Sequence, residues 1–186
     1  MIRRLLTSPV AWAVILLIGI VGAFGLYWFQ PWRLVTNTTV VEQLSSASAP
    51  VTGTPSAAAT GSATDVAAAS GPTVVRQGTF VTHEHPTSGA AHLVRNADGS
   101  HHLELIGLAT SDGPDLRVWL TDQKVGTDSA AWHVFDDGKH VELGRLKGNR
   151  GDQVYPLPAD VDIRDYHSVS VWCKRFSVSF GAASLR

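Results

Sequence analysis

The sequence contains one cysteine, Cys173, and one methionine, Met1, among its 186 residues. A single cysteine excludes an intramolecular disulfide, a CxxC redox pair, an all-cysteine iron–sulfur site and a C-x-x-C-H haem attachment site in this sequence. The sequence also lacks a Lys/Arg-rich run, and its formal net charge is −1. Proteins that bind nucleic acid usually carry a basic patch or stripe, so we expect no nucleic-acid partner.

One long apolar run lies near the N-terminus, VAWAVILLIGIVGAFGLYWF, Val10 to Phe29. As a helix, about 20 residues span about 30 Å, the thickness of the hydrocarbon core of a bilayer. Arg3 and Arg4 precede the run, and aromatic residues lie at its far end. We therefore predict a single-pass signal-anchor in the cell membrane, with the N-terminus cytoplasmic and the C-terminal domain outside. A cleaved signal peptide is the alternative, but its apolar core usually has only about 7–15 residues.

Composition divides the chain into three predicted parts. Residues 1–32 form a cytoplasmic tip and the transmembrane anchor. Residues 33–73 form a disordered linker, because residues 45–73 consist almost entirely of Ser, Ala, Thr, Gly and Pro and include no aromatic side chain. Such a segment cannot bury enough apolar surface to offset the entropy lost on ordering. Residues 74–186 form the folded domain, which is long enough for one core of modest size.

The folded domain has a β-strand pattern almost throughout. LRVWLT, SVSVWCK and FSVSF alternate in a period of two, which is typical of half-buried strands. Ser168, Ser170, Ser177 and Ser179 fall at positions that we expect to face outward. Asp98-Gly99 within LVRNADGSHHLEL predicts the turn of a hairpin. The sequence therefore predicts an all-β fold, an antiparallel β-sandwich or small barrel, with these core residues on two of its strands: Leu116, Val118, Leu120, Val169, Val171 and Cys173.

Cys173 has two interpretations. In a regular strand it shares a face with Val169 and Val171, so it packs as a small apolar group, and burial makes such a thiol inert. Alternatively, the neighbouring cations Lys174 and Arg175 favour a thiolate near the surface, although Lys174 projects from the opposite face of the strand. A redox role would need a second molecule, a metal or a haem, because one thiol cannot form an intramolecular disulfide. The residues themselves leave both interpretations open.

Three motifs in this order, DGPDLRVWL, LGRLKGNRGDQVYPLP and VSVWCKRFSVSFGAASL, resemble the DM13 domain, the electron transfer DM13 family. The resemblance covers about Gly78 to Leu185 and includes HPTSG, which contains His85 and Gly89. It implies a β-sandwich-like extracytoplasmic module, found alone in membrane-anchored bacterial proteins and beside DOMON domains in animal proteins. It also implies a redox function for Cys173, with haem as the candidate ligand. Because no cytochrome or DOMON domain is present in this sequence, we expect a separate redox protein as the partner.

The eight histidines include a closely spaced pair, His83 and His85. On a regular strand, residues two apart share one face, so the two imidazoles would offer two nitrogens to zinc or copper. The spacing does not identify a third ligand. The alternative is that these histidines lie on strands and turns without a metal. The resemblance adds His85 as a second ligand candidate beside Cys173, for haem or a metal.

A surface patch is predicted on the face opposite the core residues. It comprises Arg117, Trp119, Trp172 and Lys174, which meet if their two strands are neighbours. Such an aromatic–cationic patch suits a protein or sugar partner. The alternative is that the two tryptophans cover the second face of the sandwich and only the cationic tips reach water.

The expected function is electron transfer by a membrane-anchored extracytoplasmic domain, through Cys173 and with haem or a metal as the candidate cofactor. The alternative is a non-redox module that binds a protein or a cell-envelope ligand, with Cys173 structural. No catalytic residue is assigned, because the sequence shows neither a GxSxG elbow nor another nucleophile or acid–base constellation.

Overall fold

The computed structural model describes residues 9–45 and 71–186. Its first element is a long helix, α1 (Pro9–Phe29), and a short 3-10 helix, Pro31–Val35, follows. Two further 3-10 helices span Ser129–His133 and Ile163–Asp165. Arg3, Arg4 and most of the predicted linker lie outside the described residues. The strands are β1 (Thr39–Val41), β2 (Thr73–Thr82), β3 (Ser88–Arg95), β4 (His101–Ala109), β5 (Leu116–Thr121), β6 (His140–Arg145), β7 (Arg150–Pro156), β8 (Ser168–Cys173) and β9 (Val178–Ser184).

Helix α1 is apolar along its whole length and buries none of its residues against the domain. The stretch Pro9–Arg33 has 25 residues and a mean hydropathy of 2.3, so it is long and apolar enough to cross a membrane. A signal sequence near an N-terminus has the same two properties.

The nine strands form one sheet, in the order β1-β7-β4-β3-β2-β9-β8-β5-β6. The sheet curls into a half-barrel. Seven neighbouring pairs are antiparallel, and β1 pairs with β7 in parallel. The all-β prediction is confirmed, and the parallel pair makes the sheet mixed. Strand β1 lies within residues 33–73, the range that the composition assigns to the linker.

Strand β2 joins the two halves of the sheet. Thr73–Thr79 pair with β3, whereas Phe80–Thr82 pair with β9. Gly78 lies where β2 passes from one partner to the other, and a Cβ atom there would be 1.9 Å from the carbonyl oxygen of Ser184. Only glycine permits so close an approach of two backbones, so Gly78 allows the sheet to bend at this crossing.

One face of the sheet holds the main apolar core. The alternation predicted for β5 and β8 is confirmed, because Leu116, Val118, Leu120, Val169, Val171 and Cys173 all belong to this core. The predicted hairpin turn is also confirmed: β3 ends at Arg95, β4 begins at His101, and Gly99 has a φ of 86°.

Candidate functional site

The Cys173 side chain lies in the main core, at the last position of β8, and is 0% exposed. It is directly opposite Leu116 of β5 on one side and Val178 of β9 on the other. The four-residue turn after it, residues 174–177, joins β8 to β9. The thiol is therefore enclosed by core side chains, at the end of the β8–β9 hairpin.

Two opposing effects act on the charge state of the thiol. Burial raises the pKa of Cys173, while the nearby backbone N–H groups of Phe176, Arg175 and Asp115 lower it by less, so the net pKa is raised. A thiol in this environment stays protonated at neutral pH and is a poor nucleophile. The three N–H groups would nevertheless compensate negative charge that develops on the sulfur.

A pocket with a volume of about 400 Å³, here called the hairpin pocket, opens beside this end of the sheet. Cys173 does not line it, but Val178, its cross-strand neighbour, does. Since directly opposed Cβ atoms in a sheet are about 4.5–5.5 Å apart, the Cys173 side chain lies one position behind the pocket wall. The walls are formed by Phe29, Gln30, Pro31, Arg33, Glu84, His85, Asp112, Gly113, Pro114, Phe176, Val178 and Phe180.

The last turn of α1 contacts the turn of the β8–β9 hairpin. The Phe29 and Phe176 rings stack with centroids 5.9 Å apart. The Arg175 guanidinium lies over the Trp28 ring, 5.2 Å from its centroid, and donates to the Trp28 carbonyl oxygen. Phe176 is 41% exposed despite its place in an alternating apolar pattern, because it belongs to the turn rather than to β9. The helix end and the hairpin together therefore form one wall of the hairpin pocket.

A second contact between the helix end and the domain lies at the pocket rim. Nη1 of Arg33 donates to Oδ1 of Asp112 over 3.3 Å and to the carbonyl oxygen of Gly113 over 3.1 Å. Thr36 donates its hydroxyl to the same aspartate over 3.2 Å. The sequence did not reveal these residues as a group, because the contacting positions are more than 70 residues apart in the chain.

The two histidines of the predicted pair lie on opposite faces of β9. His85 packs on Phe180, with ring centroids 3.9 Å apart, and lines the hairpin pocket. His83 instead contacts Ser179, the preceding residue of β9, and successive residues of a strand point to opposite faces. The prediction of a shared face required a regular strand through both histidines, but β2 ends at Thr82.

Neither histidine belongs to a metal-binding cluster in the part of the chain that the structure describes. Within residues 9–45 and 71–186, no three His, Cys, Asp or Glu side chains are grouped closely enough to hold a metal ion. His85 contributes one imidazole to the pocket, and burial lowers its pKa more than the nearby Glu84 raises it. A neutral imidazole at this position can bind a ligand through one ring nitrogen and donate through the other.

Comparison with known proteins gives one match. The family described as Electron transfer DM13 matches residues 79–185, which include Cys173, His85 and every strand from β3 to β9. The chain belongs to the DM13 family. No curated protein and no solved structure matches it.

The outer face of the DM13 domain carries a second, smaller apolar cluster. Trp119 and Trp172, from adjacent strands, stack with centroids 5.1 Å apart and are 4% and 1% exposed. Phe135, from the segment between β5 and β6, packs edge-on against Trp172 with centroids 6.2 Å apart. The two tryptophans of the predicted patch therefore do lie together, but the β5–β6 segment covers them and they form a core.

The cationic members of the predicted patch converge on one carboxylate of the DM13 domain. Glu142 accepts hydrogen bonds from Arg117 over 2.7 Å, Lys174 over 3.2 Å and Nε1 of Trp119 over 3.3 Å. Burial tends to raise the pKa of Glu142, but these three partners outweigh it and the pKa is lowered. The cations are thus neutralised at the edge of the covered cluster.

A chain of buried hydrogen bonds lies beside this cluster. His83 donates through Nε2 to the carbonyl oxygen of Gly126 over 3.0 Å, and its Nδ1 accepts from the Ser179 hydroxyl over 2.9 Å. Ser170 in turn donates to Ser179 over 2.9 Å. The two serines face outward from the main core as predicted, but they are 0% exposed because the β5–β6 segment covers them. The neutral imidazole of His83 thereby fixes the β5–β6 segment to the sheet.

We expect the stability of the DM13 domain to fall as the pH drops below about 6.5, the ordinary pKa of histidine. Burial lowers the pKa of His83 more than its bond to Gly126 raises it, so the unfolded state binds a proton at a pH where the folded state does not. The stability that neutral His83 contributes is fully present above the pKa that this histidine has in the unfolded chain. It is lost as the pH falls toward the lower pKa of His83 in the folded domain. Thermal unfolding between pH 8 and pH 5 measures it.

His83→Gln is expected to reduce this pH dependence, since glutamine does not titrate. His167→Gln is the matched control, because His167 is exposed and lies outside the buried chain. An unchanged slope of Tm against pH in His83→Gln would show that His83 does not cause the effect.

Proposed function

We propose that this DM13 domain transfers electrons at a membrane surface and that Cys173 is its redox-active residue. The observation that carries the proposal is the position of Cys173, one cross-strand neighbour behind an apolar pocket that the helix end helps to form. The backbone N–H groups near the sulfur, which offset part of the effect of burial on its pKa, support it as well, since polar groups around sulfur tune the potential of sulfur-containing redox centres. The description of the family, electron transfer, is consistent with this assignment.

In this proposal, α1 crosses the cell membrane once as an uncleaved anchor, with the N-terminus in the cytoplasm. The basic residues before the apolar run, Arg3 and Arg4, support that orientation. The DM13 domain then stands outside the membrane, and its hairpin pocket lies at the level where α1 leaves the lipid. The linker predicted for residues 33–73 joins the anchor to the domain at residues 74–186.

Haem bound through Cys173 does not fit this arrangement. An axial ligand needs an open face toward the iron, but the Cys173 side chain is 0% exposed and does not line the pocket. We therefore assign the redox step to the thiol itself. Oxidation breaks the S–H bond and leaves a thiyl radical, with the electron passing to a separate redox protein and the proton to water. Reduction returns both. Enclosure of the sulfur protects it from the two-electron oxidation that exposed thiols undergo.

Voltammetry of the full chain in a lipid film tests the proposal. We expect a reversible wave in the wild type that is absent from Cys173→Val. Because one proton accompanies one electron, the midpoint should move by about 59 mV per pH unit. Valine is close to cysteine in size and apolar, so the variant should fold with little change in Tm. A wave that Cys173→Val retains would contradict the role of the thiol.

The second candidate is a non-redox binding module in which Cys173 only packs, and the complete burial of the thiol favours it. This candidate predicts no wave in either chain. It also predicts that the thiol reacts with a thiol reagent only after denaturant is added. Absence of a wave together with that reactivity would replace the electron-transfer proposal by this one.

A further inference from the structure

We propose that the hairpin pocket binds the ring of a membrane-dissolved quinone, taken up from the bilayer beside α1. This inference deepens the proposed function by naming the chemical class that occupies the site, and its redox meaning rests on that function. The binding itself rests on four features of the pocket: its aromatic walls, its polar rim, its place at the helix end and its size.

The aromatic walls favour a flat ring. Three phenylalanines line the pocket, and all three already take part in ring contacts. Phe29 and Phe176 are nearly parallel, with an interplanar angle of 20°, while Phe180 holds the His85 ring against it at 3.9 Å. Planar conjugated ligands stack on such surfaces, because paired rings are stabilised beyond the effect of the area they bury. A pocket for an alkyl chain alone would not require four rings.

The polar rim matches the two carbonyl oxygens of a quinone. The His85 ring has no hydrogen-bond partner within the described parts of the chain, so its N–H is available to a ligand. Within the described residues, Arg33 donates to the protein through Nη1 alone. Its Nε and Nη2 groups are therefore free to donate to an acceptor on a ligand. Two donors at the rim of an apolar pocket are what a ligand with an apolar ring and carbonyl oxygens requires.

The place of the pocket explains how such a ligand would enter. Phe29 is the last residue of α1, and Pro31 begins the short helix that follows it. A helix that crosses a membrane ends at the interface, where aromatic residues are enriched. The pocket therefore opens beside the lipid, and a molecule with an isoprenoid tail can place its ring in the pocket while the tail stays in the bilayer.

The volume of about 400 Å³ accepts one ring of this kind. Ligand pockets are typically about 300–1,000 Å³, and this value lies at the lower end. The pocket is thus suited to the head of the ligand and not to its tail. Val178 separates the bound ring from Cys173 by one cross-strand position, so a quinone here would be the redox group nearest to the thiol.

Titration of decylubiquinone into the full chain in nanodiscs tests the proposal, with tryptophan quenching as the readout. We expect saturable quenching and at least about tenfold weaker binding in Phe176→Ser and in His85→Phe, because each removes one contact worth roughly 1.4 kcal/mol. Phe176→Ser removes a wall from an exposed turn, and His85→Phe keeps a ring but removes the N–H donor. Val75→Ser and His167→Phe are matched controls at exposed positions outside the pocket, and should bind as the wild type does.

Decanol serves as a probe that has the tail of decylubiquinone but no ring. If decanol displaces the quinone with similar affinity, the pocket takes an alkyl chain and the proposal is wrong. Quenching that does not saturate, or that both pocket variants retain unchanged, also overturns it.

Cys173→Val separates this proposal from the proposed function. We expect that variant to bind decylubiquinone normally while it loses the voltammetric wave. A wave in the wild type without saturable quinone binding would overturn the quinone site alone. Quinone binding without a wave would overturn the redox role of Cys173 alone.

Discussion

Replacing Trp172 by alanine is expected to lower the free energy of unfolding by about 3–5 kcal/mol, the usual range for a buried tryptophan. Trp172 is 1% exposed and contacts both Trp119 and Phe135. Its removal leaves a cavity between the sheet and the β5–β6 segment. Because His83 fixes that segment to the sheet, the segment cannot collapse into the cavity. Chemical denaturation of the full chain in detergent, followed by tryptophan fluorescence and circular dichroism, measures the change.

The contrast with Trp132 makes this prediction specific. Trp132 belongs to the 3-10 helix of the same covering segment, and its Nε1 is the one fully buried side-chain nitrogen or oxygen atom without a hydrogen-bond partner among the described residues. Trp132→Phe removes that unpaired donor, so it should be close to neutral, whereas Trp172→Phe should still destabilise the domain. If Trp172→Ala loses no more stability than Trp132→Phe, the two tryptophans of the outer cluster are not a core.

The strands were predictable because their signal is local. In β5 and β8 every second residue is apolar and faces the main core, so the alternation alone places Val118, Val171 and Cys173. The Asp98-Gly99 turn is equally local, since the φ of 86° at Gly99 is one that glycine adopts readily. The family resemblance then drew attention to Cys173 and His85, and the match to residues 79–185 agrees with the extent of that resemblance.

The outer face was harder to predict because a long connection covers it. Period-two alternation shows that Trp119 and Trp172 point away from the main core, but it does not show what lies over them. Phe135 and Val134 cover them from a segment without a regular period. For the same reason, Ser170 and Ser179 resemble exposed residues in the sequence although they form a buried hydrogen-bonded chain with His83.

The hairpin pocket could not be predicted from sequence at all. Its walls come from the end of α1, the segment after β2, the turn before β5 and the β8–β9 hairpin, and only the fold brings these four parts together. The sequence offered His85 only as a ligand candidate, through its spacing from His83 and through the family resemblance. Phe176 carried a misleading signal, because it continues the alternation of Val178 and Phe180 although it lies in the turn.

Strand β1 was missed because three residues, Thr39–Val41, are too few to display a period. The structure attaches this strand to the domain by more than backbone pairing. Glu42, directly after it, accepts hydrogen bonds from Nζ of Lys147 over 2.7 Å and from the backbone N–H of Val154 over 2.6 Å. The bond from Lys147 is the main reason that the pKa of Glu42 is lowered. The chain that follows α1 is therefore fixed along β7.

Gly151→Ala is expected to detach β1 and to destabilise the domain by about 2–6 kcal/mol. Gly151 pairs with Val40 and has a φ of 96°, where a residue with a Cβ is strained by about 1–3 kcal/mol. A Cβ atom would also be 2.0 Å from the carbonyl oxygen of Val40, so β1 must move away. Overpacking of this kind typically adds about 1–3 kcal/mol. Denaturation measures the loss of stability, and limited proteolysis within residues 36–45 measures the release of β1.

Gly99→Ala provides the matched control, because Gly99 has a similar φ of 86° but nothing within 4 Å of its Cβ position. Gly99→Ala should lose only the stability that the backbone strain costs, and proteolysis near Thr39–Val41 should not become faster. The difference between the two variants then isolates the contact between β1 and β7. If both lose the same stability and neither exposes residues 36–45, β1 is not held by Gly151. Since β1 follows the helix end that forms the pocket wall, faster cleavage in Gly151→Ala should be accompanied by weaker decylubiquinone binding.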